Sequence, residues 1–179
     1  MTASDKLAQR LAIGVPALLL GGAYLSQYGF GLVPCEMCWW QRYAHFAALA
    51  LALVSTVVPP KRLLIGLAGL AILVAGLIGG YHAGVEYKWW EGLTTCSSTA
   101  AGTSIEDILN APLIRCDEAQ WRLFGISLAG YNFLISTATA IVVFVLLGRR
   151  ARCAASCSAI ARMSGECGPR SPITASWPA

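Results

Sequence analysis

The chain has 179 residues, of which 56% are hydrophobic and only 12% charged, and its mean hydropathy is +0.61. Soluble domains carry about twice that charged fraction, so the composition excludes a disordered chain, a basic nucleic-acid-binding domain and most soluble enzymes. The formal net charge of +4 equals the contribution of residues 149–179, which hold five Arg and one acidic residue. The positive charge therefore belongs to one tail, and we expect no nucleic-acid partner.

Four long stretches of the chain carry no charged residue, namely residues 11–35, 43–60, 63–85 and 123–148. A helix needs about 20 mostly apolar residues to cross a membrane, and backbone groups in lipid must be satisfied within the segment. We therefore predict an all-α membrane protein, a bundle of four transmembrane helices, with spans near 10–29, 40–58, 62–82 and 126–148. The first span is longer than a typical signal-peptide core and precedes no clear cleavage site, which favours a retained helix.

Lys and Arg are unevenly distributed between the short segments that join these spans. Basic pairs occur near the N-terminus, at Lys61 and Arg62, and at the start of the tail. The positive-inside rule places all three segments, and both termini, in the cytoplasm. Loops 30–39 and 83–125 then lie on the opposite side, and the second contains six acidic and three basic residues. We predict a membrane domain over 1–148 and a disordered cytoplasmic tail over 149–179.

The seven cysteines divide between the two sides. The outer loops contain Cys35, Cys38, Cys96 and Cys116, whereas Cys153, Cys157 and Cys167 lie in the tail. Disulfides persist in oxidising compartments such as the periplasm and are rare in the cytosol. The four outer cysteines therefore form two candidate redox pairs, and we interpret the three in the tail as reduced thiols.

The first pair is a C-x-x-C motif, Cys35 to Cys38, at the predicted start of the second helix. Unpaired N–H groups and the helix dipole stabilise a thiolate there, and the thiolate is the reactive nucleophile. Arg42 lies four residues after Cys38 and therefore on the same helix face. We expect this cation to act on the thiolate, although an Arg near a helix end also reaches the membrane surface for solvation alone.

The second pair, Cys96 and Cys116, encloses 19 residues rich in small side chains. Exposed disulfides of this kind tend to be labile or catalytic, but a plain stapling disulfide fits the same spacing. Zinc is the main chemical competitor, and it is disfavoured because structural zinc sites usually combine two closely spaced ligand pairs. We predict no metal. His82 ends the third span and is a candidate quinone ligand, whereas His45 is explained by a hydrogen bond to a neighbouring helix.

Together these features resemble the disulfide bond formation protein B family, DsbB, over about residues 8–148. The resemblance rests on the C-x-x-C-x-x-x-R stretch from Cys35 to Arg42, on Tyr81-His82 followed by Cys96, and on Cys116 with Trp121 five residues later. Members of this family often carry Glu before the Arg, where this chain has Gln41. The tail has no counterpart in the resemblance.

The resemblance implies a thiol:quinone oxidoreductase of the bacterial inner membrane with both outer loops in the periplasm. A reduced DsbA-like thioredoxin-fold partner would attack the Cys96–Cys116 disulfide at Cys96. Cys116 would then attack Cys35, and Cys38 would pass electrons to ubiquinone or menaquinone from the membrane pool. In this interpretation Cys38, Arg42 and His82 bind the quinone. DsbA is a strong oxidant, with a reduction potential of about −120 mV. Its re-oxidation therefore requires an acceptor with a higher reduction potential than ordinary thiol couples have, and a quinone meets this requirement.

Two other functions remain possible from the sequence. A vitamin K epoxide reductase-like enzyme runs similar thiol-to-quinone chemistry, but its quinone-facing C-x-x-C lies late in the chain, whereas here it opens the second helix. A non-catalytic four-helix membrane protein with structural disulfides would explain the cysteine pairs, but it leaves Arg42 beside Cys38 without a role.

Overall fold

The computed structural model describes residues 1–92, 97–98, 113–114 and 116–164, with side chains in 1–92 and 116–148. The predicted site residue Cys96 lies outside the described residues. In chain order the elements are α1 (Ala3–Phe30), α2 (Glu36–Val57), α3 (Lys61–Glu86), β1 (Ser97–Ser98), β2 (Leu113–Ile114), β3 (Arg122–Leu123), β4 (Ile126–Ser127) and α4 (Leu128–Ser164). The described part of the protein is therefore mainly helical, as predicted.

Local sequence signals explain where the helices begin and end. Thr2 and Asp5 form a reciprocal capping box that starts α1, seven residues before the expected start of the first span. Gly31 ends α1 in the left-handed conformation, with φ of 69°. Cys35 is the N-cap of α2 in an extended conformation, and its side chain makes no capping hydrogen bond. The thiol therefore remains available for other contacts.

Two short antiparallel strand pairs lie between α3 and α4. Strand β1 pairs with β2, and β3 pairs with β4 across a two-residue turn. That turn consists of Phe124 and Gly125, which have φ of 49° and 80°, as a type I′ hairpin requires. Phe124 is 91% exposed at its tip. The hairpin leads directly into α4.

The end of α4 differs from the sequence-based expectation. We predicted that the last span ends at 148 and that a disordered tail follows, but the helix continues to Ser164. The segment 149–164 contains five Ala and no Gly or Pro, so its intrinsic helix propensity sustains the helix. The chain divides into two compact units, Met1–Leu147 and Gly148–Ala179.

Within the first unit, small side chains allow the four helices to approach closely. One core cluster takes members from all four helices, all fully buried: Ala12, Ala48, Ala52, Ala68, Ile72 and Ala140. Large apolar side chains such as Leu25 (63% exposed) and Leu63 (59% exposed) instead point outward. This distribution is that of a helical membrane protein, in which lipid replaces water around the bundle.

Three helices are long and apolar enough to cross a membrane: Ala3–Phe30, Lys61–Glu86 and Leu128–Gly148. Helix α2, which coincides with the predicted span 40–58, is not among them. Gln41, Arg42 and His45 interrupt its apolar run, and all three side chains are buried inside the bundle.

Contacts between distant segments define the two ends of this unit. At one end, Arg62 contacts the Asp5 carboxylate at 3.4 Å and donates to the backbone carbonyl of Leu147. At the other end, Gln120 donates to the carbonyl of Val33, so the segment after Cys116 lies against the α1–α2 loop. Arg62 thus joins the start of α1, the start of α3 and Leu147 at one end, and the described C-x-x-C cysteines lie at the other.

Candidate active site

The structure brings together three of the four cysteines that the sequence singled out. Cys35 is the N-cap of α2, and Cys38 lies one turn later, with its Sγ 3.2 Å from that of Cys35. A disulfide would hold the two sulfurs at about 2.05 Å, so the pair is a hydrogen-bonded dithiol. Cys116 packs in the same buried cluster as Cys35, together with Met37 and Val85. One cysteine of the second loop thus contacts the site of the first.

The two sulfurs of the C-x-x-C motif have opposite electrostatic character. The hydrogen bond to Cys38, followed by burial, raises the pKa of the Cys35 thiol to about 12. The same hydrogen bond, accepted by Cys38, lowers the pKa of Cys38, which lies ahead of the apolar run that begins at residue 40. Cys38 is therefore the more acidic thiol of the reduced pair.

A cavity of about 260 Å³ lies beside this pair. Its apolar wall comes from α1 and from the start of α4, including Leu18, Leu19 and Leu128. The polar side chains that line it include Cys35, Cys38, Gln41, Arg42, His45, His82, Glu86 and Asn132. A flat apolar ring with polar oxygens fits such a cavity, because ligand pockets combine apolar walls with a few orienting polar groups.

Cys116 lines a different opening. A second groove is formed by Val85, Lys88, Trp89, Trp90, Glu91, Gly92, Cys116 and Asp117. Lys88 Nζ lies 2.6 Å from Asp117 Oδ2, which ties the segment after Cys116 to the end of α3. Cys35 contacts the Cys116 cluster and also lines the cavity. The cysteines therefore form a path from the groove to the cavity.

Arg42 lines the cavity with Cys38, but its strongest contacts are with α1. Its guanidinium donates to Gln27 Oε1 at 2.5 Å and to the carbonyl of Ala23 at 3.1 Å. It lies between the rings of Tyr24 and Trp39, 4.8 and 4.9 Å from their centroids. The side chain is only 6% exposed, so it does not merely reach toward the membrane surface. Its cation is fixed in the cavity wall.

His82 lies nearer to Cys35 than the sequence alone indicated. Its Nε2 is 3.5 Å from Cys35 Sγ and 3.7 Å from Glu86 Oε1. Donor atoms of Cys35, Cys38 and His82 all lie within 4.8 Å of one another. These three donors are one short of the four protein ligands of a structural zinc site. They also form a thiol–imidazole arrangement suited to disulfide exchange.

Several polar residues that line the same cavity have no role predicted from the sequence. Gln41 is a departure from the family pattern, and the sequence pattern singles out neither Glu86 nor Asn132. His45 does bond a neighbouring helix as predicted, through Nε2 to Asn132 Oδ1 at 2.8 Å. An isolated Asn in an apolar span was an available signal, because polar residues inside membrane helices are commonly functional.

Comparison with known proteins shows the family of the chain. The family model for disulfide bond formation protein DsbB matches residues 5–146. The chain belongs to the DsbB family. A disulfide bond formation protein B of Polaromonas sp. (strain JS666 / ATCC BAA-500) is 31% identical over 169 residues, which is 85% of this chain and 98% of the relative. The corresponding protein of Azoarcus sp. (strain BH72) is also 31% identical, over 76% of this chain and 88% of its own length. No solved structure matches the chain.

Membership in the DsbB family defines the general activity. This chain is a membrane oxidoreductase that forms protein disulfides. The cysteine cluster and the cavity described above are the parts of the structure that have the chemistry for that activity.

Proposed function

We propose that this protein oxidises the dithiol of a DsbA-like thioredoxin-fold partner and passes the electrons to ubiquinone or menaquinone. The observation that carries the proposal is the position of Cys35, which packs with Cys116 on one side and hydrogen-bonds Cys38 at the cavity on the other. Oxidation of one dithiol releases two electrons and two protons. A quinone supplies the matching chemistry, because it takes up two electrons and two protons.

Each internal step is a thiolate attack on a disulfide sulfur. The partner thiolate attacks Cys96, and Cys116 leaves with the electron pair of the broken bond. Cys116 then attacks Cys35 of the oxidised C-x-x-C pair, and Cys38 leaves as a thiolate. The lowered pKa of Cys38 makes it the better leaving group, and the presence of Cys116 and Cys35 in one buried cluster supports the direction of attack.

The residues around the cavity fit a quinone ring. Leucine side chains form an apolar wall, while Cys38, Arg42 and His82 line the same space with polar groups. We assign Arg42 the role of orienting a ring oxygen, since its guanidinium is held by α1 and by two aromatic rings. A quinone that binds to a side chain already held in place loses less conformational entropy than one that binds to a mobile side chain.

We propose further that all four helices span the bacterial inner membrane, with 1–148 as the membrane domain, loops 30–39 and 83–125 in the periplasm, and both termini in the cytoplasm. The contacts of Arg62 with Asp5 and Leu147 support this topology, because they bring the N-terminal basic segment and the basic link between α2 and α3 to one end of the bundle. The cysteine cluster at the opposite end would then face the oxidising compartment. Alkylation of single-cysteine variants from either face of sealed vesicles tests this arrangement.

Trapping tests the proposed function directly. A reduced DsbA-like protein that keeps only its attacking cysteine should accumulate a mixed disulfide with Cys96, because its thiolate displaces Cys116 and no second partner thiol can release Cys96. The purified wild-type protein should oxidise the two-cysteine form of that partner only when quinone is added. Oxidation without a mixed disulfide at Cys96 would contradict the proposed path. Absence of both reactions would favour a structural role for the disulfides.

A further inference from the structure

A continuous chain of hydrogen-bonded side chains crosses the interior of the bundle beside the cavity. It runs from His82 on α3 to Gln41 on α2, then to Asn132 on α4, and back to His45 on α2. The four side chains are between 2% and 9% exposed. Buried polar groups without partners cost several kcal/mol in an apolar medium, so the pairing within this chain is strongly constrained.

Backbone carbonyls fix the orientation of both amide groups. Asn132 Nδ2 donates to the Ala75 carbonyl at 3.1 Å and to Gln41 Oε1 at 2.7 Å. Gln41 Nε2 in turn donates to the Met37 carbonyl at 3.1 Å and lies 3.0 Å from His82 Nδ1. Rotating either amide by half a turn would place an oxygen against a carbonyl oxygen. Each amide can therefore point in only one direction.

This direction determines where the imidazole protons lie. Gln41 Nε2 has only hydrogens to offer, so His82 Nδ1 must accept, and the proton of the neutral ring lies on Nε2. That N–H faces Cys35 Sγ at 3.5 Å and Glu86 Oε1 at 3.7 Å. At the other end, Asn132 Oδ1 can only accept, so the Nε2 of His45 donates to it.

We propose that Gln41, Asn132 and His45 are positioning residues that hold His82 as the Nε2–H tautomer, with its N–H directed at the Cys35 sulfur. This inference rests on the proposed function. In that function, the N–H of His82 stabilises the Cys35 sulfur when the Cys116–Cys35 disulfide breaks. The partner's second thiolate first attacks its own sulfur in the mixed disulfide and releases Cys96 as a thiolate. Cys96 then attacks Cys116, and Cys35 leaves with the electron pair as a thiolate. A charge-assisted hydrogen bond to that thiolate lowers the barrier to its departure.

The packing around the chain supports a fixed geometry. A Cβ on Gly79 would lie 3.0 Å from Asn132 Nδ2, so the glycine leaves the space in which this amide reaches Ala75. Ser136, which is fully buried, gives Asn132 Oδ1 a second donor at 2.8 Å. Asn132 thus uses both hydrogens and both lone pairs.

Nitrogen-15 NMR of the reduced wild-type protein tests the proposal without any turnover. The sequence contains only two histidines, so selective labelling gives two rings, which the His45→Gln variant assigns. We expect His82 to carry its proton on Nε2 and to accept at Nδ1. A proton found on Nδ1 of neutral His82 would overturn the proposal.

Two substitutions test which groups donate and which accept in this chain of hydrogen bonds. In Gln41→Glu the introduced carboxylate cannot donate, so a proton should move onto Nδ1 of His82. Asn132→Leu should give a mixture of tautomers, whereas Ser136→Ala, which removes only the second donor to the same oxygen, should leave His82 unchanged. An unaltered tautomer in Gln41→Glu, or equal effects of Asn132→Leu and Ser136→Ala, would contradict a positioning role.

Turnover gives a separate readout. Loss of one charge-assisted hydrogen bond corresponds to about a tenfold decrease in the rate of disulfide exchange for Asn132→Leu, while Ser136→Ala should stay within about twofold of the wild type. If NMR finds the predicted tautomer but no quinone-dependent oxidation occurs, the proposed function fails and the positioning role stands. If oxidation occurs with the other tautomer, only the positioning role fails.

Discussion

The two ends of the helical bundle use their interiors differently. Toward the basic end, alanines such as Ala48 and Ala52 fill the space between helices, and their side chains are fully buried. Toward the cysteine end, the helices leave a cavity, and buried polar groups including Arg42, His82 and Asn132 line it. The basic end is therefore closely packed, whereas the cysteine end holds polar and reactive groups around a cavity.

The largest expected effect comes from the sulfur at the cavity. Cys38→Ser should reduce quinone-dependent oxidation of the partner by at least about 1000-fold, because a hydroxyl at this position can neither form a disulfide nor carry the electrons. Partner-coupled absorbance assays measure the rate, and circular dichroism checks the fold. As a control, Cys153→Ser, in the tail beyond the membrane domain, should retain activity. Substantial activity in Cys38→Ser would contradict the assignment.

Arg42 should affect acceptor binding more than the thiol exchange. Arg42→Ala removes the guanidinium held between Tyr24 and Trp39, so the KM for quinone should rise about tenfold, as expected for loss of one charged hydrogen bond. Mixed-disulfide formation with the partner, measured separately, should be unchanged. Arg42→Lys keeps the charge but loses the planar contacts, and an intermediate KM is expected. Unaltered quinone kinetics in Arg42→Ala would remove this residue from the site.

The sequence was sufficient to predict the helices of the bundle and the position of a C-x-x-C motif at the start of α2. Long uncharged runs and a C-x-x-C motif can be interpreted from short stretches of sequence, because a helix and its N-cap depend mainly on neighbouring residues. The chain of Gln41, Asn132 and His45 was not predicted, because it depends on which faces of three helices meet. The continuation of α4 was missed because charged residues at 149–152 suggested a tail, whereas Ala-rich propensity prevails.

The pH dependence of thiol reactivity separates the two sulfurs. Cys35 lowers the pKa of Cys38 from its ordinary value of 9.0, so the thiolate of Cys38 persists below pH 9 and is lost as pH falls through its lowered pKa. Cys35→Ala removes the donor and should shift the alkylation profile of Cys38 to higher pH. Cys35→Ser keeps an O–H donor and should shift it less. Peptide mass spectrometry after timed alkylation measures both profiles, and identical profiles would contradict the hydrogen bond.

The packed end should respond in stability alone. Ala52→Leu inserts three carbons into a fully buried position, which typically costs about 1–3 kcal/mol and lowers Tm by several degrees. The KM for quinone and the alkylation profile of Cys38 should not change. Leu53→Ala, at a neighbouring position that is 49% exposed, serves as the matched control with a smaller effect on Tm. A changed KM in Ala52→Leu would show that the two ends are not independent.

The central claim is that Cys35 links the second loop to the cavity. A variant carrying Cys38→Ser and Cys96→Ser retains Cys35 and Cys116, which pack in one buried cluster. Mild oxidation followed by non-reducing peptide mass spectrometry should recover the peptides of Cys35 and Cys116 joined by a disulfide. Failure to form that link, in a protein shown to be folded, would contradict the account.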